Sequence, residues 1–361
     1  MERELRNSDI GELLAAEAET ATYPLQKALR RAGRASFFWP VEAADLARQN
    51  RPLSELKGIG PFLEKLIRRW LEDPPEPPAR DDLRRNFFTW PEAQNILKKF
   101  PDWKKDLRGD LQMHTEWSDG SGTIRAMAEA AIERGYEYIA ITDHGKKLKI
   151  AGGVNEEELE QQGREIEKLN KEFARKSFRI LRSIEMNLDT EGNGDMTPEA
   201  LEELDLVLAA FHSSLRRKED QTERYLAGVK NPHVHILGHP RGRIYNYRIG
   251  LKADWERVFD AAARLGKAVE IDSYPDRQDL SLDLIKKARD AGVMISLGTD
   301  AHHPWQLEFI DFGLAAAAEA KIPKERILNF MTAEEILEWA QKVRAGTRTR
   351  RLNLPAREKN R

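Results

Sequence analysis

Five of the eight histidines in this 361-residue chain, His114, His144, His212, His239 and His302, stand at or just past the ends of short β-branched runs. Carboxylates join them there. Asp119 follows His114 by five positions, Asp143 precedes His144, Glu185 ends a run of its own, and Asp300 precedes His302 by two. Histidines kept for packing would fall on helices and loops as often as at such ends, so the joint placement points to metal ligation. Imidazole and carboxylate without thiolate suit Zn²⁺, Mn²⁺ or Fe²⁺, and the donors outnumber the three or four that one ion needs. We therefore expect two or three divalent metal ions. Paired ions can activate a water as a metal-bound hydroxide, so the expected chemistry is hydrolysis. His233 and His235 are expected to serve packing, and His303 has no assigned role.

Such a cluster needs elements that carry its members to one place. Residues 110–114, 138–142, 179–185, 206–212, 234–239, 268–272 and 294–299 read as buried strands, with helical periodicity between them at 124–134, 156–173, 221–230, 253–265 and 281–291. Repeated βα units imply parallel strands joined by right-handed crossovers. The expected fold is α/β, a distorted (β/α)₇ barrel behind a small all-helical domain, with an open doubly wound sheet as the alternative. In a barrel of this kind the C-terminal strand ends converge on one mouth. No GxGxxG or GxxxxGK[ST] follows any of these strands, which counts against dinucleotide and P-loop nucleotide binding.

Composition narrows the setting. The chain has no cysteine, which excludes thiolate nucleophiles, disulfides, iron–sulfur clusters and zinc sites built on sulfur. Lys+Arg 59 against Asp+Glu 61 leaves a net charge of -2, so any nucleic-acid contact must come from local basic patches. The first twenty residues have no apolar core of the leader type, and no uncharged apolar run reaches membrane-spanning length; the expectation is a cytoplasmic protein with no membrane partner. Prolines at 74, 75, 77 and 78 mark the domain boundary. We expect a helical domain over 1–72, a proline-rich linker with a connecting helix over 73–107, the metal-dependent domain over 108–340, and a basic, disordered tail over 341–361.

The segments DLQMHTEWSDG, AITDHGKKLKIAGG, SIEMNL, AAFHSSL, HILGHPRGR, VEIDSYPDRQDL and SLGTDAHHP together resemble the polymerase and histidinol phosphatase (PHP) superfamily, over about residues 108–340. More narrowly they resemble the PHP domain at the C-terminus of bacterial family X DNA polymerases. The resemblance implies a trinuclear metal site in which Gln112, His114, Glu185 and Asp300 hold the first ion. Glu185 would bridge to a second ion held by His212 and His239, and Asp119, His144 and His302 would hold the third. Glu185, Asp300, His144 and His239 are the residues we expect to carry catalysis. The superfamily pattern His-x-His is here Gln112-Met113-His114, and an amide oxygen is a weaker, harder ligand than imidazole, which favours Mn²⁺ at that position.

Before the prolines, LSELKGIGPFLEKLIRRWLE reads as a helix-hairpin-helix. Gly58 and Gly60 flank Ile59 in a turn whose backbone N–H groups can approach a phosphate, with Lys65, Arg68 and Arg69 on the following helix. Residues 1–72 resemble the helical N-terminal region of family X polymerases, yet no polymerase core fits between Glu72 and Asp110. Arg241 and Arg243, close behind His239, are the expected contacts for a substrate phosphate. The expected activity is a phosphoesterase acting on DNA 3′ ends, as 3′–5′ exonuclease or 3′-phosphatase in DNA repair, gripping the backbone without reading sequence. The alternatives are a small-molecule phosphatase of the histidinol-phosphate type and a non-catalytic, metal-stabilised DNA-binding protein. The oligomeric state is left open.

Overall fold

A computed structural model describes residues 4–352. The chain divides into two compact units: residues 1–100 with 244–249, and residues 101–243 with 250–361. The first boundary thus falls after the helix Trp90–Lys99 rather than at the prolines. The reason is packing: Arg84 pairs with Glu12, and Ser8 Oγ donates to Glu92, so the segment behind the prolines is tied to the first helix.

Helices dominate the first unit, at Asn7–Thr20, Leu25–Ala35, Ala43–Arg48, Pro61–Glu72 and Trp90–Lys99. Ile10, Leu14, Leu29, Trp39, Leu53, Leu63 and Ile67 form its core. The first two helices meet at Gly11 and Gly33, where a Cβ on Gly33 would stand 3.3 Å from the Gly11 carbonyl. Thr89 closes a capping box with Glu92, each side chain accepting the other's backbone N–H, which starts the last of these helices.

Among the described residues the second unit has eight strands, all parallel: β1 Gly109–Asp110, β2 Tyr138–Ile141, β3 Arg179–Arg182, β4 Glu185–Asn187, β5 Leu208–Ala210, β6 Ile236–Leu237, β7 Ala268–Asp272 and β8 Met294–Gly298. They form two sheets, β1-β2-β3 and β4-β5-β6-β7-β8. The run expected as one strand over 179–185 is therefore two. It breaks at Ser183 and Ile184, where the chain leaves β2 to pair with β5. Isolated parallel bridges, Met113 with Ala301 and His144 with Glu185, link the two sheets. One apolar cluster draws on both, with Leu111, Tyr138, Leu181, Leu208, Ile236 and Ala268 among its members.

Helices Ile124–Glu133, Glu156–Phe173, Thr222–Lys230, Trp255–Arg264 and Leu282–Ala291 occupy the crossovers. A last helix, Ala333–Leu352, runs through the first part of the segment expected as a disordered tail, because its apolar Ile336, Ala340 and Val343 are buried. Residues 353–361 of that segment lie outside the described residues. No helix among the described residues is long and apolar enough to cross a membrane.

Candidate metal centre

Parallel strands deliver their C-terminal ends to the same side of a sheet, and the expected ligands sit there in sequence order. His114 follows β1, His144 follows β2, Glu185 lies just past β3 as the first residue of β4, His212 follows β5, His239 follows β6, and Asp300 and His302 follow β8. Asp300 holds a left-handed backbone (φ 53°) that non-glycine residues rarely adopt. Hydrogen bonds from Asp300 N–H to the Gln112 carbonyl (3.1 Å) and from His114 N–H to the Ala301 carbonyl (2.7 Å) pin the two loops together and keep it there.

Glu185 is the centre of the arrangement. Its Oε1 lies 2.5 Å from His239 Nε2 and 3.1 Å from His212 Nε2; its Oε2 lies 3.0 Å from His144 Nδ1 and 3.4 Å from His114 Nε2. Four imidazoles therefore surround one fully buried carboxylate. Burial alone would raise its pKa, but the facing imidazoles, His144 first, outweigh that and hold it well below the usual carboxylate range. Burial and the neighbouring rings push His114 down, and burial also pushes His212 down, so both tend toward the neutral, ligating form.

Among the described residues three donor sets have ligand atoms within 4.8 Å of one another: His114, Glu185 and Asp300; His144, Glu185 and His212; and His114, Asp119, His144 and His302. In the first, His114 Nε2 stands 2.9 Å from Asp300 Oδ1. In the last, Asp119 Oδ1 stands 3.5 Å from His144 Nε2 and 3.3 Å from His302 Nε2. This set is the most open, with Asp119 36% and His302 26% exposed in their side chains, so it lies toward solvent. Gln112 is buried beside the first set, with its amide end 2.6 and 3.0 Å from the Glu270 carboxylate oxygens; assigning the nitrogen to that side, as the acceptors there require, leaves the amide oxygen as the atom it has to offer an ion.

Other residues orient these donors, and the sequence reading missed them. Asn187 Oδ1 lies 2.6 Å from His212 Nδ1. The Asn187 amide nitrogen already donates to Asp195 (2.7 Å) and to the Gly145 carbonyl (3.2 Å), so Oδ1 accepts from the ring and Nε2 is left free to ligate. In the same way His302 Nδ1 donates to the Asp300 carbonyl at 2.7 Å. Asp143, next to His144, is not among the donors. It accepts from Thr115, Ser118 and Gln162 and braces the loops.

The two arginines expected to meet a phosphate are held by backbone carbonyls. Arg243 is buried with Nε donating to the Arg277 carbonyl (2.9 Å), and burial pushes its pKa down to about 9. Arg241 Nε reaches the Leu251 carbonyl at 3.4 Å. Proximity in sequence to His239 did not reveal which way these side chains turn. The guanidinium at the cluster is that of Arg277, which pairs with Asp300 and stands 3.8 Å from Asp272. Arg277 is 32% exposed in its side chain, and burial, which opposes its charge, is outweighed by Asp300 and Asp272.

In the first unit, Gly58 takes a positive φ of 87° and Gly60 caps the helix Pro61–Glu72, while Ile59 is buried. Lys65 and Arg69 are exposed. Arg68 is not available as expected: its guanidinium bonds Glu64 at 2.9 Å and the Arg51 carbonyl at 2.6 Å.

Parts of this chain are similar to known proteins. A PHP domain model matches residues 110–275. Over 231 residues the chain is 38% identical to the Bacillus subtilis (strain 168) protein named DNA polymerase/3'-5' exonuclease PolX, covering 64% of this chain and only 40% of that protein's length. Over 236 residues it is 30% identical to a probable phosphatase from Thermoanaerobacter sp. (strain X514), covering 61% of this chain and 89% of the relative. A histidinol phosphate phosphatase from Lactococcus lactis, solved with zinc, L-histidinol and phosphate, superposes on 60% of this chain and 95% of its own at a TM-score of 0.44 and 20% identity.

Proposed function

Because the chain belongs to the PHP domain family, we propose that its histidine and carboxylate cluster is the active centre of a metal-dependent phosphoesterase that works at the 3′ ends of DNA. Metal-dependent phosphoester hydrolysis comes with the family, and DNA as substrate is the finer reading. The observation that carries the chemistry is Glu185 with four imidazole nitrogens within 3.4 Å. Its buried Oε2 has no hydrogen bond, and buried polar atoms normally have one, so the donor set fits cations.

By the family pattern the residues that would hold the ions are Gln112, His114, Glu185 and Asp300 for one, Glu185, His212 and His239 for a second, and Asp119, His144 and His302 for a third; the geometric sets instead group His144 with Glu185 and His212, and His239 meets the cluster through Glu185 Oε1. Divalent ions bound there lower the pKa of water and neutralise phosphate oxygens. The protein's part is to hold the donors in place. Asn187 and the Asp300 carbonyl fix the tautomers of His212 and His302 so that Nε2 faces inward. Arg277 presents guanidinium N–H groups beside Asp300, where an incoming phosphate oxygen would accept them. We further read the two bridged sheets as one distorted barrel, because they share an apolar cluster and are joined by bridges from Met113, past β1, to Ala301, past β8, and from His144, past β2, to Glu185 of β4.

The DNA reading is supported by the name of the Bacillus relative and by the hairpin with exposed Lys65 and Arg69. The test offers the metal-supplemented chain 3′-labelled DNA, DNA ending in a 3′-phosphate, and histidinol phosphate. Faster turnover of either DNA end supports the reading. Turnover of histidinol phosphate alone would assign the chain to small-molecule phosphatases.

A further inference from the structure

The helix Leu25–Ala35 carries Lys27, Arg30, Arg31 and Arg34 and no acidic residue. Spacing of three, four and seven residues places all four on one face, away from the buried Leu29, Ala32 and Gly33. All four are exposed, and among the described residues no ion pair ties any of them. Like charges three and four apart weaken a helix. The face is therefore unfavourable as it stands and improves when an anion joins it.

Arg30, Arg31 and Arg34 also line a cavity of about 680 Å³ within the first unit. Arg84 and Asn246 in its lining are tied down: Arg84 Nε stands 2.8 Å from Glu12 Oε2, and Arg84 Nη1 donates to Asn246 Oδ1 at 3.0 Å. Glu12 thereby answers the charge of Arg84. Glu19 is the one acidic residue on the lining, among the described residues, against the other three arginines. Each unpaired guanidinium offers a planar fork of donors that matches phosphate. From Lys27 to Arg34 the helix rises about 10 Å, longer than a single phosphate group.

We propose that this arginine face and its cavity bind consecutive phosphates of a nucleic-acid strand, as a site distinct from the Gly58–Gly60 hairpin. That the strand is DNA rests on the functional reading above; the site itself rests on the four cations and the cavity.

The full chain is titrated with a fluorescent single-stranded DNA oligonucleotide by anisotropy across a salt series. The variant Arg30→Gln/Arg31→Gln/Arg34→Gln is compared with a hairpin variant, Lys65→Gln/Arg69→Gln. Because the three side chains are exposed the fold should survive, and circular dichroism checks it; Arg31→Glu alone is the milder substitute. We expect the triple variant to bind at least tenfold more weakly, with a salt slope shallower by about 2, since each phosphate contact on a single strand contributes about 0.7. Unchanged affinity and slope, with DNA still bound, would overturn the site and leave the DNA reading standing. If the parent chain binds no DNA, both fall together. A nucleoside monophosphate, titrated separately, distinguishes the source of the phosphate: arginine-dependent binding of it without binding of the strand would reassign the cavity to a free nucleotide and overturn the proposal.

Discussion

Asn187 Oδ1 accepts the Nδ1 proton of His212 at 2.6 Å, and so commits the opposite nitrogen of that ring to the carboxylate of Glu185, 3.1 Å away. Asn187 is two residues past Glu185 on the same strand, so one strand supplies both a ligand and the group that orients its neighbour. Loss of such an outer contact typically lowers metal affinity by about 10–100-fold. We expect that range for Asn187→Ala, measured by chelator competition, with Asn187→Asp restoring part of it.

Arg277 supplies the positive charge at Asp300, with Asp272 close by. Removing a donor aimed at developing charge commonly costs about 10²-fold in rate. Arg277→Ala should lower kcat/KM for a phosphate ester by that order, and Arg277→Lys should recover part of it. Arg243→Gln should instead lower the melting temperature, because its guanidinium is buried against the Arg277 carbonyl.

Gln112 stands where the family pattern has histidine, with its amide nitrogen on Glu270. Burial, reinforced by Asp272, holds Glu270 well above the usual carboxylate range. Gln112→His should tighten Zn²⁺ binding and lower the ratio of Mn²⁺-supported to Zn²⁺-supported rates. Unchanged affinity and ratio would remove Gln112 from the ligand set.

Lys267 is buried with its ammonium on the Asn231 carbonyl at 2.5 Å, and burial pushes its pKa down to about 7 from 10.5. Between those values the unfolded chain holds a proton that the folded chain has released. This residue therefore adds stability as pH rises from about 7 toward 10.5 and opposes folding below 7. Urea unfolding of Lys267→Met beside the parent should show the largest stability gain below pH 7, shrinking toward pH 10.

What was legible in the sequence was that His and carboxylate side chains gather at the strand ends, because strand ends are local features and His and Asp are chemically distinctive. Arg277, Asn187 and Glu270 were not legible as partners, since their roles depend on contacts made across strands. Arg241, Arg243 and Arg68 show the converse: side-chain type and nearness in sequence suggested phosphate contacts, while the fold turns them onto carbonyls or Glu64. The strand over 179–185 read as continuous because apolar residues persist through Ile184, and only pairing with β5 reveals the break. The segment 244–249 joins the first unit through Tyr245, which packs on Phe37 and Phe87, a contact that no local pattern announces.

The most direct test of the metal centre counts bound metal by elemental analysis as Mn²⁺ or Zn²⁺ is added, while hydrolysis of a chromogenic phosphate ester is followed on the same samples. We expect activity to rise only as a second ion binds, and His239→Ala, which removes a ligand 2.5 Å from Glu185, to bind fewer ions and lose hydrolysis while remaining folded. A chain that binds no more than one ion at saturation, or a His239→Ala variant as active as the parent, would contradict the account.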